Sequence, residues 1–291
     1  MSEAGSVAWP TPANPIWRFN WALEGSPDAE GIVISGAYFR GHEVFYKASL
    51  PSLRVQYDGN ACGPYKDPLY YDDAHPTGGG SNRVNVYSLW FFGFHAVVVD
   101  AYHTIGNYRL TERWTFWNDG QVSPRLFSAG LQCNVNHRHH VYWRFDFDID
   151  GAANNLALEY NTTTPDLGWG PGWHTKSHEI VRVKNPPTRR VWAILQKSSP
   201  QRGYMVIPGS KDGVADGFSS GDLWVLRYHG IEDQHGRQGS AQNDGLAPLL
   251  NGEPTDGQDL VLWYCGHLAH DAADGGAELH SCGPDLIPFR Y

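Results

Sequence analysis

Two histidines one residue apart, His137 and His139 in Asn134-Val135-Asn136-His137-Arg138-His139-His140-Val141-Tyr142, have the spacing in this chain that best suits metal chemistry. Alternate residues of a β-strand point to the same face, so the pair can present two imidazoles to one ion. His140 then faces the other way and reads as structural. Imidazole suits copper, zinc, iron and nickel, so the pair alone names no metal. A chain with 14 His can also carry such a pair on its surface for no chemical reason, so a third ligand is required. His267 and His270, at the end of Asp259-Leu260-Val261-Leu262-Trp263-Tyr264-Cys265-Gly266-His267-Leu268-Ala269-His270, are the candidates. Spacing does not choose between them.

Ligands placed this way need strands to hold them, and the sequence is rich in strand signals. Its 33 Gly, 19 Pro, 12 Trp, 15 Tyr and 12 Phe favour short strands joined by turns over long helices. Strand-like runs occur at 31–36, 43–49, 84–90, 96–102, 113–117, 140–148, 178–183, 190–196, 222–229 and 259–265. Arg144-Phe145-Asp146-Phe147-Asp148-Ile149-Asp150 alternates most cleanly, and Asn118-Asp119-Gly120 is a hairpin signal. The apolar run 88–100 (SLWFFGFHAVVVD) is too short to span a membrane and reads as one buried strand. No long amphipathic helix, repeat or interdomain linker stands out, so the expectation is mainly all-β, one β-sandwich domain over 1–291.

With 41% hydrophobic and 18% charged residues this is the composition of a globular protein. A net charge of −9 without a basic cluster argues against nucleic acid and is compatible with a cationic substrate. The first residues show no basic start followed by an apolar stretch, which sets the expectation of a cytoplasmic chain without a membrane partner. Cys62, Cys133, Cys265 and Cys282 lack CxxC spacing and are therefore expected as free thiols.

Read together, these segments resemble the catalytic domain of copper amine oxidases over most of the chain. Thr104-Ile105-Gly106-Asn107-Tyr108 resembles the family's Thr-x-x-Asn-Tyr motif, whose Tyr becomes trihydroxyphenylalanine quinone (topaquinone). His137-Arg138-His139 resembles its His-Gln-His copper motif, and 144–151 the Arg-Leu-Asp-Met-x-x-Asp-Gly that follows. The segment 222–229 (DLWVLRYH) is similar to Leu-Trp-Val-Thr-Arg-Tyr. The segment 259–270 is similar to Asp-Ile-Val-Leu-Trp-Tyr-Thr-Phe-Gly-Val-Thr-His, which implies that His270, not His267, is the third copper ligand. Five collinear matches are far more specific than any one. A cupin would also supply His-x-His, but it expects a Glu within a few residues, and the next here is Glu159.

The resemblance implies a copper-dependent oxidoreductase that uses O2 and acts on a small-molecule amine as a homodimer. Tyr108 would supply the quinone, Tyr57 would hold its oxygen, and Asn107 would restrain its ring. Asp72, with Asp73 as fallback, would take the Cα proton of a primary amine, giving aldehyde, ammonia and hydrogen peroxide. It also implies a second, oxygen-ligated metal site, for calcium, at Asp146, Asp148 and Asp259 with the carbonyls of Phe147 and Leu260. At strand rise this site would stand roughly 23–36 Å from the copper. The alternative is a copper-dependent oxidase, for example one tailoring a natural product, in which Tyr108 stays unmodified. The chain departs from the family in three places. The resemblance covers only the family's catalytic domain and none of its large N-terminal domains, Arg109 follows Tyr108 where the family has an acidic residue, and 271–276 (DAADGG) replaces a Pro-Arg-x-Glu-Asp-Trp-Pro run.

Overall fold

A computed structural model of the chain describes residues 2–26, 28–71, 84–162, 171–198, 200–219, 221–232 and 243–291. It consists of two antiparallel sheets, as the all-β reading expects. The nine-stranded sheet holds β1 (Glu3–Trp9), β2 (Trp17–Leu23), β3 (Ile32–Phe39), β4 (His42–Tyr57), β5 (Tyr65–Asp67), β10 (His137–Phe147), β13 (Ile180–Arg182), β16 (Leu223–Arg227) and β17 (Leu260–His270). The ten-stranded sheet holds β6 (Val84–Phe91), β7 (Phe94–Ile105), β8 (Tyr108–Trp117), β9 (Val122–Ala129), β11 (Asn155–Asn161), β12 (Gly172–Lys176), β14 (Val191–Gln196), β15 (Gly203–Ile207), β18 (His280–Cys282) and β19 (Asp285–Phe289). The described helices are single 3-10 turns, and none is long and apolar enough to cross a membrane.

Period-two patterning builds the interface between the sheets. In β2, Trp17, Phe19, Trp21 and Leu23 turn inward while Arg18 and Asn20 face out. Inward residues of β10 (Val141, Trp143, Phe145, Phe147) and β17 (Leu260, Leu262, Tyr264, Leu268) join Trp114 and Phe116 of β8 in the main core. β10 and β17 are also covered on their other face, where Tyr142, Val261, Trp263 and Cys265 form a smaller apolar cluster. β10 lies between β4 and β17 in the middle of its sheet, which is why its residues are buried almost without a break.

Two expectations are corrected. The run 88–100 is not one buried strand. It is a hairpin of β6 and β7, turning at Phe92 and Gly93, whose φ values of 44° and 88° match the two positive φ values of a type I′ turn. Trp90, Phe91, Phe92 and Phe94 at its tip are exposed. An apolar run carries no period that could have revealed the break. The cysteines are not all free either, because Cys62 and Cys133 form a disulfide while Cys265 and Cys282 are buried thiols. Such bridges persist where thiols are kept oxidised.

The bridge joins the loop after β4 to the loop before β10, close in sequence to Tyr57 and His137. Its 71-residue separation corresponds to about 4 kcal/mol of unfolded-chain entropy. Cys62→Ser should therefore lower the melting temperature by roughly 10 °C. Peptide mapping without reductant should recover the 62–133 cross-link, with Cys265 and Cys282 alkylated only after denaturation. Four alkylatable thiols in the oxidised protein would contradict the pairing.

Candidate metal centre

The antiparallel register fixes the site before any side-chain detail. His137 stands opposite His270 across β17 and opposite Tyr57 across β4. His139, two residues on, shares the inward face with His137, and all three imidazoles are buried. Their ring centroids lie 5.2 Å (His137–His139), 4.8 Å (His137–His270) and 4.9 Å (His139–His270) apart. Each can offer one nitrogen such that the three ligand atoms fall within 4.8 Å of one another. His267 is an odd number of residues from His270 on the same strand and points to the opposite face, where it pairs with His140.

Tyr108 arrives from the other sheet. Gly106, at φ 55°, lets β7 return as β8 through a two-residue turn, so Ile105 and Tyr108 pair and the phenol points inward. Its ring lies 4.9 Å from that of His139 and 5.6 Å from that of His137. The direction of the hydrogen bonds follows from their ends. The Val135 carbonyl can only accept, so His137 Nδ1 (3.0 Å away) carries the proton. His137 Nε2 therefore accepts from the Tyr108 hydroxyl at 2.9 Å, and the Tyr108 oxygen accepts from the Tyr57 hydroxyl at 2.5 Å. Burial raises the pKa of both phenols.

Burial also makes the imidazoles good ligands. It lowers the pKa of His137, takes that of His139 well down, and takes His270 to about 3. All three rings are thus neutral at pH 7 and hold lone pairs. Neither nitrogen of His139, nor Nε2 of His270, has a hydrogen-bond partner among the described residues. Buried imidazole nitrogens left without partners but gathered on one point are what a soft or borderline cation satisfies. The donor set therefore fits copper.

Asn107 is exposed, and its side-chain amide donates to the Leu131 carbonyl at 3.4 Å. Arg109 alternates away from the phenol, is exposed, and donates to the carbonyls of Gly106 and Tyr108 at 3.3 and 3.0 Å. The cation that replaces the family's acidic residue is thus on the reverse face of β8 from the ring. Asp72 and its fallback Asp73 lie outside the described residues. Two residues near the cluster were not singled out from the sequence. Asp67 in β5 is buried, its Oδ2 has no hydrogen-bond partner among the described residues, and burial lifts its pKa to about 7. The His280 ring lies 4.2 Å from that of His270, tilted by 35°. Neither belongs to a motif, so only the β4–β5 and β18–β9 pairings reveal them.

At the far end of the β10–β17 ladder, Asp146, Asp148 and Asp259 gather with one oxygen each within 4.8 Å of the others. Phe147 and Leu260, whose carbonyls complete the expected site, face each other in register. Burial raises Asp146 to about 8 and Asp148 to about 7, although Arg144 donates to Asp146 at 3.1 Å. Oδ1 of Asp146 and of Asp148 have no hydrogen-bond partner among the described residues.

No family model matches the chain. The peroxisomal N-methylputrescine oxidase 1 of Nicotiana tabacum is 23% identical over 223 residues, covering 57% of this chain and 28% of its own. The copper-containing, peroxisomal diamine oxidase 1 of the same plant is 22% identical over 223 residues, with the same shares. Among solved structures, the copper-containing benzylamine oxidase of Hansenula polymorpha is 17% identical and superposes with a TM-score of 0.67 over 94% of this chain and 58% of its own. The lysyl oxidase of Pichia pastoris is 16% identical, with a TM-score of 0.67 over 94% and 52%. The chain thus spans just over half the length of these solved relatives and 28% of the curated ones. In fold it is a divergent copper amine oxidase-like domain.

Removing a ligand should show directly in metal content. His137→Ala, His139→Ala and His270→Ala are each expected to lose the copper equivalent, with affinity falling at least about 100-fold. His267→Ala should keep it. Elemental analysis after copper loading and desalting reads the difference. Full copper in His270→Ala with loss in His267→Ala would overturn the ligand set.

Proposed function

We propose that the chain is a copper-dependent oxidoreductase that oxidises a primary amine with O2 and water to an aldehyde, ammonia and hydrogen peroxide. Residues 1–291 act in this reading as one catalytic domain, and a second copy of the chain completes a homodimer. The observation that carries the reading is the hydrogen-bond chain from Tyr57 through Tyr108 to His137, ending in the three-imidazole cluster. His137, His139 and His270 would hold copper, and Tyr108 would be the precursor of the quinone. Copper with O2 supplies oxidising power there, and topaquinone supplies an electrophilic carbonyl that no ordinary side chain has.

The chain's own residues do the rest. Tyr57 donates to the Tyr108 oxygen and fixes its position, and both phenol rings are buried. Asn107 tethers the turn that carries Tyr108 through its bonds to Gln132 and Leu131. Asp72 is the base that takes the Cα proton. Asp67, a buried carboxyl with a pKa of about 7, is a second group suited to proton transfer near neutral pH. Asp146, Asp148 and Asp259, with the Phe147 and Leu260 carbonyls, would hold calcium, a hard cation that relieves the repulsion between buried carboxylates.

Aerobic copper loading tests the function. The peptide carrying Tyr108 should gain mass, the protein should react with phenylhydrazine, and Tyr108→Phe should do neither. Unmodified Tyr108 in active, copper-loaded protein would replace the amine-oxidase reading with that of a tyrosine-retaining copper oxidase. The base is identified by comparing Asp72→Asn with Asp67→Asn. The variant at the true base should keep hydrazine reactivity while turnover falls about 10²–10⁴-fold.

The carboxylate site has its own test. Asp148→Ala should abolish the rise in melting temperature on adding calcium while copper content stays at wild type. A wild-type protein whose melting temperature ignores both calcium and its chelation would contradict the site.

A further inference from the structure

The outward face of β10 and β17 carries a second imidazole pair that the copper reading does not use. His140 and His267 are direct cross-strand partners, both buried, with rings 5.1 Å apart edge to face. The chain between β15 and β16 folds over them and brings in Asp216 and Phe218. Phe218 stacks on the His140 ring at 4.2 Å, and its backbone N–H donates to Asp216 Oδ1 at 3.0 Å. His140, Asp216 and His267 can each offer one ligand atom, all within 4.8 Å of one another.

Two features separate this cluster from an ordinary hydrogen-bonded one. The first is spacing. His140 Nε2 lies 3.2 Å from each oxygen of Asp216, favouring neither. A charge-assisted N–H···O bond would be about 2.7–2.9 Å. Two ligands bound at about 2.0–2.1 Å on a tetrahedral ion stand roughly 3.3 Å apart. The second feature is the free nitrogen. His267 Nε2 donates to Asp222 Oδ1 at 2.5 Å, and Asp222 Oδ2 is held by the N–H groups of Lys184 and Ala215 at 2.7 and 3.0 Å. With Nε2 committed as donor to an anchored carboxylate, Nδ1 is the nitrogen left to ligate. It is buried and, beside the weakly bonding thiol of Cys265, has no hydrogen-bond partner of ordinary geometry among the described residues. A carboxylate that orients an imidazole so that its other nitrogen can bind is the usual outer support of a metal-ligating histidine. Arg138 reaches Asp216 only from the rim, at 3.7 Å, with about half its side chain exposed.

We propose that His140, Asp216 and His267 bind a second divalent transition ion, of the zinc type, on the reverse face of the strands that carry the copper ligands. Two imidazoles and one carboxylate without a thiolate suit zinc, and three protein ligands leave a fourth position for water. The ion ties the chain between β15 and β16 to the centre of the sheet. The site is independent of the amine-oxidase reading.

Zinc binding by the 291-residue, copper-loaded chain tests this, with copper and zinc counted in the same sample. Wild type should hold about one zinc beside its copper. Asp216→Asn and His267→Ala should lose the zinc, with Kd rising at least 10-fold, and keep the copper. His139→Ala should lose the copper and keep the zinc. Because His267 is buried, the partly exposed Asp216 provides the variant least exposed to misfolding, and thermal melting checks that it folds. Cobalt in place of zinc should give the visible bands of a tetrahedral ion, absent in Asp216→Asn. A folded wild type that holds no zinc, or a folded Asp216→Asn that binds zinc as tightly as wild type, would overturn the proposal.

Discussion

In the nine-stranded sheet one rung crosses three strands, with His137 between Tyr57 of β4 and His270 of β17. The next inward residue of β10 is His139, and Tyr108 descends onto the same spot from the opposing sheet. A slip of one residue in this ladder would turn both imidazoles of β10 outward and present Arg138 to the core. The ladder is protected against that slip. Its β10–β17 half runs unbroken from His137 opposite His270 to Phe147 opposite Leu260, with apolar residues buried on both faces. The same ladder sets the carboxylate cluster at its far end and the His140–His267 pair on its reverse side. Three groups with ligand character therefore share one register.

Burial acts on these groups in opposite directions for the same reason: low dielectric disfavours charge. It takes His270 down to about 3 and Asp146 up to about 8. At the inward cluster the outcome is neutral rings with lone pairs turned on one another. At the carboxylate cluster it is acids that hold protons near neutral pH. In each case a cation is the partner that would relieve the cost of unsatisfied buried groups. The Cys62–Cys133 bridge adds a covalent tie between the loops that lead out of Tyr57 and into His137.

Much of the fold was legible because alternation was clean. The hairpin at Asn118-Asp119-Gly120 and the strands at 84–90, 113–117, 190–196 and 259–265 lie where the pattern and turn residues put them. β11 was not legible, because its pattern is inverted. Its buried face carries Asn155, Glu159 and Asn161, and Glu159 is neutralised there by Arg182, Arg190 and Lys176 at 2.9, 3.1 and 3.6 Å. Polar residues paid for by distant cations look like a solvent face in sequence. At the metal cluster, spacing left His267 and His270 both open and the resemblance chose His270; strand pairing sets His270 opposite His137 and turns His267 to the reverse face beside His140. Asp67 and His280 belong to no motif and become visible only through strand pairing.

The local structure around bound copper, read by X-ray absorption fine structure at the copper edge, tests the central claim most directly. Three imidazole scatterers at about 2.0 Å are expected in wild type, falling to two in any protein that retains copper after His139→Ala. Two or fewer imidazoles in wild type, or a sulfur scatterer from a cysteine, would contradict the cluster of His137, His139 and His270 as the copper site.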